Sequence, residues 1–244
     1  MNIVEQVLGG MSDAALFGLN LQPEQDEIEA GQRDAIVYGQ AAERLVSVVG
    51  LRKGVYVEQQ PIFGLLLRIM SMAGWTYSGS GFFSAAFYKG GLCIKVSLRG
   101  SGDAAFDYLH WAKDNGHLAG VPKVYSIGEE AHVSIALMDR YEGARHLLKR
   151  SSPAMDSFVC AEYEDVKQAL ENGLSPTFPS GETALAIREQ FPKGNYDMHH
   201  GNVMVDRDGG LVITDPLGRS KQQATSYGGY GTYEYTYSEY SQAA

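Results

Sequence analysis

The chain has 244 residues, a formal net charge of −9 and an apolar fraction of 44%. It is long enough for one large domain or two lobes with a sizeable core, and its acidity argues against nonspecific binding to nucleic acid, which relies on Lys and Arg. No apolar run is long enough to span a bilayer, the N-terminus lacks a basic leader, and Cys93 and Cys160 lie far apart without metal-ligand spacing. This describes a soluble protein of a reducing compartment with two free thiols in its core.

Residues 1 to about 70 read as helices, because Val4, Val7 and Leu8, then Ile36, Val37, Ala41, Leu45 and Val48, recur at three- and four-residue spacing. From Trp75 short aromatic and β-branched runs broken by glycine take over: WTYSGSGFFSAAFY, then GGLCIKVSL. These predict a strand, a glycine loop, a strand, a Gly-Gly turn and a further strand. Residues 103–113 follow as a helix, VPKVYSIGEEAHVSIALMD as two strands around a Gly-Glu turn, and residues 155–173 and 182–191 as helices. NVMV and LVIT, joined by DRDGG, predict a hairpin with polar residues at both ends. The tail from Thr225 to Ala244 is low-complexity and has no aliphatic core residues.

The strongest chemical signal is YDMHHGNVMV followed by LVITDP. Asp197 precedes Asn202 by five positions, and Asp215 closes the next strand. In phosphoryl transfer an aspartate orients or accepts the proton of the attacking hydroxyl. An asparagine five residues later holds Mg²⁺, and a second aspartate bridges metal and phosphates. His199 and His200 lie in the same loop, where a histidine would brace it by hydrogen bonds.

The second signal is the loop Gly79, Ser80, Gly81, Phe82, Phe83 and Ser84, with Lys95 in a strand beyond it. Glycines let backbone amides close over phosphates, and an aromatic at the tip shields them. A lysine between Ile94 and Val96 faces the inner side of the sheet and needs an anionic partner, which phosphates would provide. The site read from the sequence thus comprises Asp197 and Lys95 as catalytic groups and Gly79 to Ser84, Lys95, Met138, Asn202 and Asp215 around ATP. Asn202 and Asp215 also hold Mg²⁺. Asp103 and Asp107 are the helix acids considered as partners of Lys95.

The order of these parts is that of a minimal two-lobed protein-kinase-like fold of the α+β class. Its predicted divisions are extra N-terminal helices (1–73), a small antiparallel-sheet lobe (74–142), a reduced helical lobe (143–222) and the tail (223–244). GSGFFSAAF, IKV with Lys95, GVPKVY, DMHHGN and ITDP together resemble the early-expressed serine/threonine protein kinase of autographiviruses, phages that encode their own single-subunit RNA polymerase. The resemblance implies an enzyme acting in the host cytoplasm on host proteins, among them RNA polymerase and ribonucleases, without membrane contact. It makes Asp197 the catalytic aspartate, Asn202 and Asp215 the metal ligands and Lys95 the phosphate-contacting lysine.

Several features depart from ordinary protein kinases. Asn195-Tyr196 stands where His-Arg precedes the catalytic aspartate, Asp215-Pro216-Leu217 replaces Asp-Phe-Gly, and no Ala-Pro-Glu follows. Activation by a phosphorylated loop, and a large helical substrate platform, are therefore not expected. Thr225, Ser226, Thr232, Thr236, Ser238 and Ser241 are the expected autophosphorylation sites. Two alternatives remain open: a small-molecule phosphotransferase of the aminoglycoside or choline type, which shares D-x-H-x-x-N, and a pseudokinase-like inhibitor of a host enzyme.

Overall fold

A computed structural model describes residues 23–98, 103–143, 153–199 and 201–218, with the side chains of 153–156 excepted. Val4, Val7, Leu8, His200 and the tail lie outside these residues.

Helix α1 (Gln25–Val49) begins with a capping box in which Glu24 and Glu27 satisfy each other's backbone donors, and it ends at Gly50, where φ is 76°. After a 3-10 turn (Val57–Gln59) and helix α2 (Phe63–Met72) come strands β1 (Thr76–Ser80), β2 (Ser84–Lys89) and β3 (Leu92–Ser97). Gly90, with φ 57°, and Gly91 form the two-residue turn that joins β2 to β3. Helix α3 (Ala104–Asn115) crosses over to β4 (Val124–Glu129), and β5 (Ser134–Asp139) returns. The antiparallel sheet has the order β1-β2-β3-β5-β4. The β4–β5 turn falls at residues 130–133, where Glu130 N–H donates to Val133 O at 2.8 Å. The expected Gly-Glu turn is corrected accordingly, because Gly128 and Glu129 still pair with Ile135 and Ser134.

α1 is a helix as expected, but its buried face is not the aliphatic one. Ile36, Val37 and Val48 are 60%, 59% and 85% exposed, whereas Gly31, Ala35, Tyr38, Gly39, Ala42 and Val46 are buried. Close approach decides this. A Cβ at Gly31 would lie 3.1 Å from Leu92 and Leu137 methyls, and one at Gly39 would lie 3.1 Å from Ile135 Cγ2. Small residues let the helix backbone settle onto the sheet, where Leu92, Ile94, Ile135 and Leu137 form one core with it.

The other sheet face meets a second core. Ala136 and Met138 of β5 join Phe106, Tyr108 and Leu109 of α3, together with residues of helices α4 (Pro153–Asn172) and α5 (Pro179–Gln190). The same core takes in strands β8 (Val203–Val205) and β9 (Leu211–Ile213). β8 and β9 form the predicted hairpin, with Val203 opposite Ile213 and Val205 opposite Leu211. Asp206 Oδ1 ties its turn by accepting from the backbone N–H groups of Asp208 and Gly210. Past β5 the chain forms β6 (Glu142–Gly143), which pairs with β8 and links the sheet to the hairpin. β7 (Asn195–Tyr196) pairs with β10 (Leu217–Gly218). The chain is thus α+β in the kinase-like arrangement. Neither thiol is a plain core residue: Cys160 is exposed on α4, and Cys93, half-buried on the inner sheet face, is pushed by burial up to about 11.

Glu162 of α4 is 4% exposed. Its Oε1 accepts from Ser180 Oγ at 2.5 Å, while Oε2 has no hydrogen-bond partner among the described residues. Burial pushes its carboxyl above the usual range. A folded pKa above the unfolded one means that the fold favours protonated Glu162, and that this advantage is lost as pH rises through the raised value. Glu162→Gln is therefore expected to gain about 1 kcal/mol at neutral pH, with the gap to wild type closing as pH falls toward the ordinary carboxylate range. Denaturant unfolding across that pH range checks this.

Candidate active site

Alternation along β3 decides where Lys95 goes. Leu92, Ile94 and Val96 point into the core under α1, so Cys93 and Lys95 face the other side, level with Met138 and Ala136 of β5. There Lys95 Nζ meets Asp215 Oδ2 at 2.8 Å. Burial works against the charge on Lys95, but Asp215, with Asp103 beyond it, overcomes this and holds the ammonium above its usual range. Burial raises the Asp215 carboxyl, an effect that Lys95 opposes and that Asp103 and Asp197 add to. The partner of Lys95 is thus not a helix acid. Asp103 caps α3, accepting from Ala105 N–H at 3.2 Å and from Ser97 Oγ at 2.5 Å, and neither it nor Asp107 hydrogen-bonds to Lys95.

Asp215 is positioned from two directions. The carbonyl of Asn202 accepts from Thr214 N–H at 2.8 Å, Thr214 Oγ1 at 3.0 Å and Asp215 N–H at 3.3 Å. Tyr108, fully buried on α3, donates its hydroxyl to Ile213 O at 2.6 Å. The Asn202 side chain also donates through Nδ2 to Asp197 O at 2.7 Å, so one residue joins the 197–202 loop to the strand bearing Asp215.

Asp197 follows β7, and its N–H donates to Pro216 O at 3.0 Å beside the β7–β10 pairing. Tyr196, where an ordinary protein kinase has arginine, anchors the strand by donating to Phe191 O at 2.8 Å. The Asp197 carboxylate is 57% exposed at the open side of the site. His199 Nδ1 accepts from Gly201 N–H at 3.0 Å, which leaves the imidazole proton on Nε2, 3.9 Å from Asp197 Oδ2.

The glycine loop joins β1 to β2. It is closed by Gly81 N–H donating to Ser84 O at 2.8 Å and held to the end of β3 by Leu98 N–H donating to Phe83 O at 3.0 Å. A Cβ at Gly79 or Gly81 would meet nothing within 4 Å, so the loop backbone is open to a ligand. Ser80 Oγ donates to Glu58 instead of turning toward the cleft. Phe82 and Phe83 line a cavity of about 570 Å³ bounded by the end of α1 and residues 50–57, on the far side of the sheet from Lys95. Among the described residues no group of three or more His, Cys, Asp or Glu could hold a metal ion, and no helix is long and apolar enough to cross a membrane.

The Lys95–Asp215 contact, the buried hydroxyl of Tyr108 and the acceptor Glu58 are not among the site features legible in the sequence. Tyr108 carried a signal, since it is a polar-tipped residue amid the apolar positions Ala105, Phe106, Leu109 and Ala112 of α3.

A lysine-bearing antiparallel sheet, a crossover helix and an Asp–Asn loop leading to a hairpin that ends in aspartate define a kinase-like phosphotransferase, a fold that implies ATP as donor. The chain belongs to the family described as bacteriophage T7 protein kinase 0.7, whose model matches residues 41–229, more than half of its length. Among solved structures it is similar to an aminoglycoside phosphotransferase from Streptomyces rimosus, with 14% identity over 65% of this chain and 78% of that one and a TM-score of 0.34. It is also similar to the bifunctional kinase-methyltransferase WbdD, with 19% identity over 54% and 29% of the two chains and a TM-score of 0.28. Scores this low carry no argument about the present chain. No curated protein matches it.

Proposed function

We propose that this phosphotransferase is a serine/threonine protein kinase, made early in phage infection, that moves the γ-phosphoryl group of ATP to host proteins and to its own tail. Its setting on this reading is the host cytoplasm. Its targets are proteins of transcription and RNA processing, such as RNA polymerase and ribonucleases, and their phosphorylation favours phage expression. The net charge of −9 fits protein partners better than nucleic acid.

The observation that carries the reading is the arrangement around Asn202, which brings Asp197, Asp215 and Lys95 to one site. Asp197 accepts the proton of a substrate hydroxyl as its oxygen bonds to the γ-phosphorus and the bond to the β–γ bridging oxygen breaks, releasing ADP. Lys95 exchanges Asp215 for nucleotide phosphate oxygens and keeps its charge neutralised. Asp215 and the side-chain oxygen of Asn202 are the donors that suit Mg²⁺, since the Asn202 amide nitrogen is committed to Asp197 O. Bound Mg²⁺ would neutralise charge on the phosphates. His199 Nε2, 3.9 Å from Asp197 Oδ2, stands beside the carboxylate that takes the proton.

Acceptor identity tests the reading. Host extract labelled with γ-labelled ATP is expected to yield phosphoserine and phosphothreonine on hydrolysis. Phosphotyrosine alone would overturn the specificity. Label on aminoglycosides or choline but on no protein would replace the reading with a small-molecule kinase, which shares the Asp197-x-His199-x-x-Asn202 pattern.

A further inference from the structure

The glycine loop is gripped from outside the sheet by the segment between α1 and α2. β1 has an irregularity in register between Tyr77 and Gly79, so that Tyr77 lies opposite Phe87 and Ser80 opposite Ala85. Phe87 and Ala85 both point into the core beneath α1 and α2, and the shift therefore puts Tyr77 and Ser80 on the same outer face despite their three-residue spacing. Both hydroxyls donate there to one atom, Glu58 Oε1, with Ser80 Oγ at 2.8 Å. These bonds hold the Glu58 carboxyl below its usual range, so it stays an ionised acceptor and fixes the Ser80 hydroxyl away from the cleft.

The grip is itself anchored. Val57, next to Glu58, is buried, and Gln60 clasps Arg52 through N–H to Oε1 at 2.8 Å and Nε2 to O at 2.9 Å, closing the segment into a compact loop. Tyr77 is wedged between Phe63 of α2 and Phe87, at 5.7 and 5.8 Å between centroids. The loop tip is held from the same segment, with the Phe82 ring 4.9 Å from Tyr56. The start of the glycine loop thus hangs on Glu58 and its tip on Tyr56.

We infer that Glu58 and Tyr56 are positioning residues, through which the segment before the sheet holds the Gly79–Phe83 backbone in place to receive the nucleotide phosphates. The inference rests on the proposed ATP-dependent reading of the site. Neither residue touches the reacting atoms. They lower the cost of ordering the loop, so their effect falls on nucleotide affinity more than on the transfer step.

The test measures Mg-ADP affinity by calorimetry on the full chain, together with turnover at saturating ATP and thermal unfolding. Glu58→Ala is expected to weaken Mg-ADP about tenfold, with turnover within about threefold of wild type. Glu58→Gln, which keeps the acceptor oxygen, is expected to restore affinity to within about threefold. Adding Tyr77→Phe to Glu58→Ala costs less than the two changes would separately, because they remove the same bond. Affinity of Glu58→Ala within twofold of wild type, equal losses in the Ala and Gln variants, or additive losses in the cycle would each overturn the inference. So would turnover and melting temperature falling together with affinity, the mark of a merely structural role. Wild-type protein that binds Mg-ADP but transfers nothing would overturn the proposed function while leaving the brace to be judged on affinity. Wild-type protein that binds no nucleotide would overturn both.

Discussion

Asp197→Ala is expected to lower turnover at saturating ATP by about 10³-fold while leaving ATP affinity and the unfolding midpoint close to wild type. The fold does not depend on this carboxylate: it is more than half exposed, and His199 Nε2 lies 3.9 Å away, beyond hydrogen-bond distance. What holds the position is backbone bonding, from Asp197 N–H to Pro216 O and from Asn202 Nδ2 to Asp197 O, and both bonds survive in alanine. Asp197→Asn keeps the shape and removes the basicity, so it is expected to be nearly as inactive. Steady-state kinetics with thermal unfolding separate the cases, and a large drop in stability would give Asp197 a structural role instead.

Asp215 has both roles, and a three-variant set separates them. Asp215→Ala removes the proposed metal ligand and leaves Lys95, among the described residues, with the more distant Asp103 for compensation. Transfer is expected to become undetectable and stability to fall by about 1–3 kcal/mol, below the usual cost of breaking a fully buried pair because both side chains retain some access to water. Lys95→Met alone strands Asp215 in the same way. Lys95→Met combined with Asp215→Leu is expected to recover most of the stability and none of the activity, because an apolar pair of similar volume no longer needs charge compensation. The linkage runs in one direction for Lys95. Its folded pKa is raised, so its stabilising contribution is complete below the ordinary lysine range and is lost only as pH rises through the raised value. The Lys95 ammonium is therefore retained at neutral pH, and denaturant titrations at pH 7 are the appropriate comparison.

The parts of the site legible in the sequence are those whose chemistry is local. Asp197, Asn202 and Asp215 lie within one loop and one hairpin, so their spacing and the NVMV and LVIT runs sufficed to place them together. The strand of Lys95 could be read from its apolar flanks, and its inward direction followed from alternation. Its partner could not be read, since Asp215 is 120 positions away and the ion pair depends on how sheet and hairpin pack. Glu58 was hidden for a similar reason: only the register shift in β1 brings Tyr77 and Ser80 to the same face. α1 shows the limit of periodicity. Ile36, Val37 and Val48 gave a helical signal, but the sheet selected Gly31, Ala35, Gly39 and Ala42, because closeness of approach outweighed side-chain size. Composition alone puts Cys160 in the core, whereas its position on α4 faces solvent.

The most direct test of the account is transfer of label from γ-labelled Mg-ATP to the protein itself and to proteins of a host extract, with wild type and Asp197→Ala run side by side. Labelled protein bands are expected with wild type and none with the variant. Bands that persist with Asp197→Ala, or no label on any protein with wild type, would contradict the account.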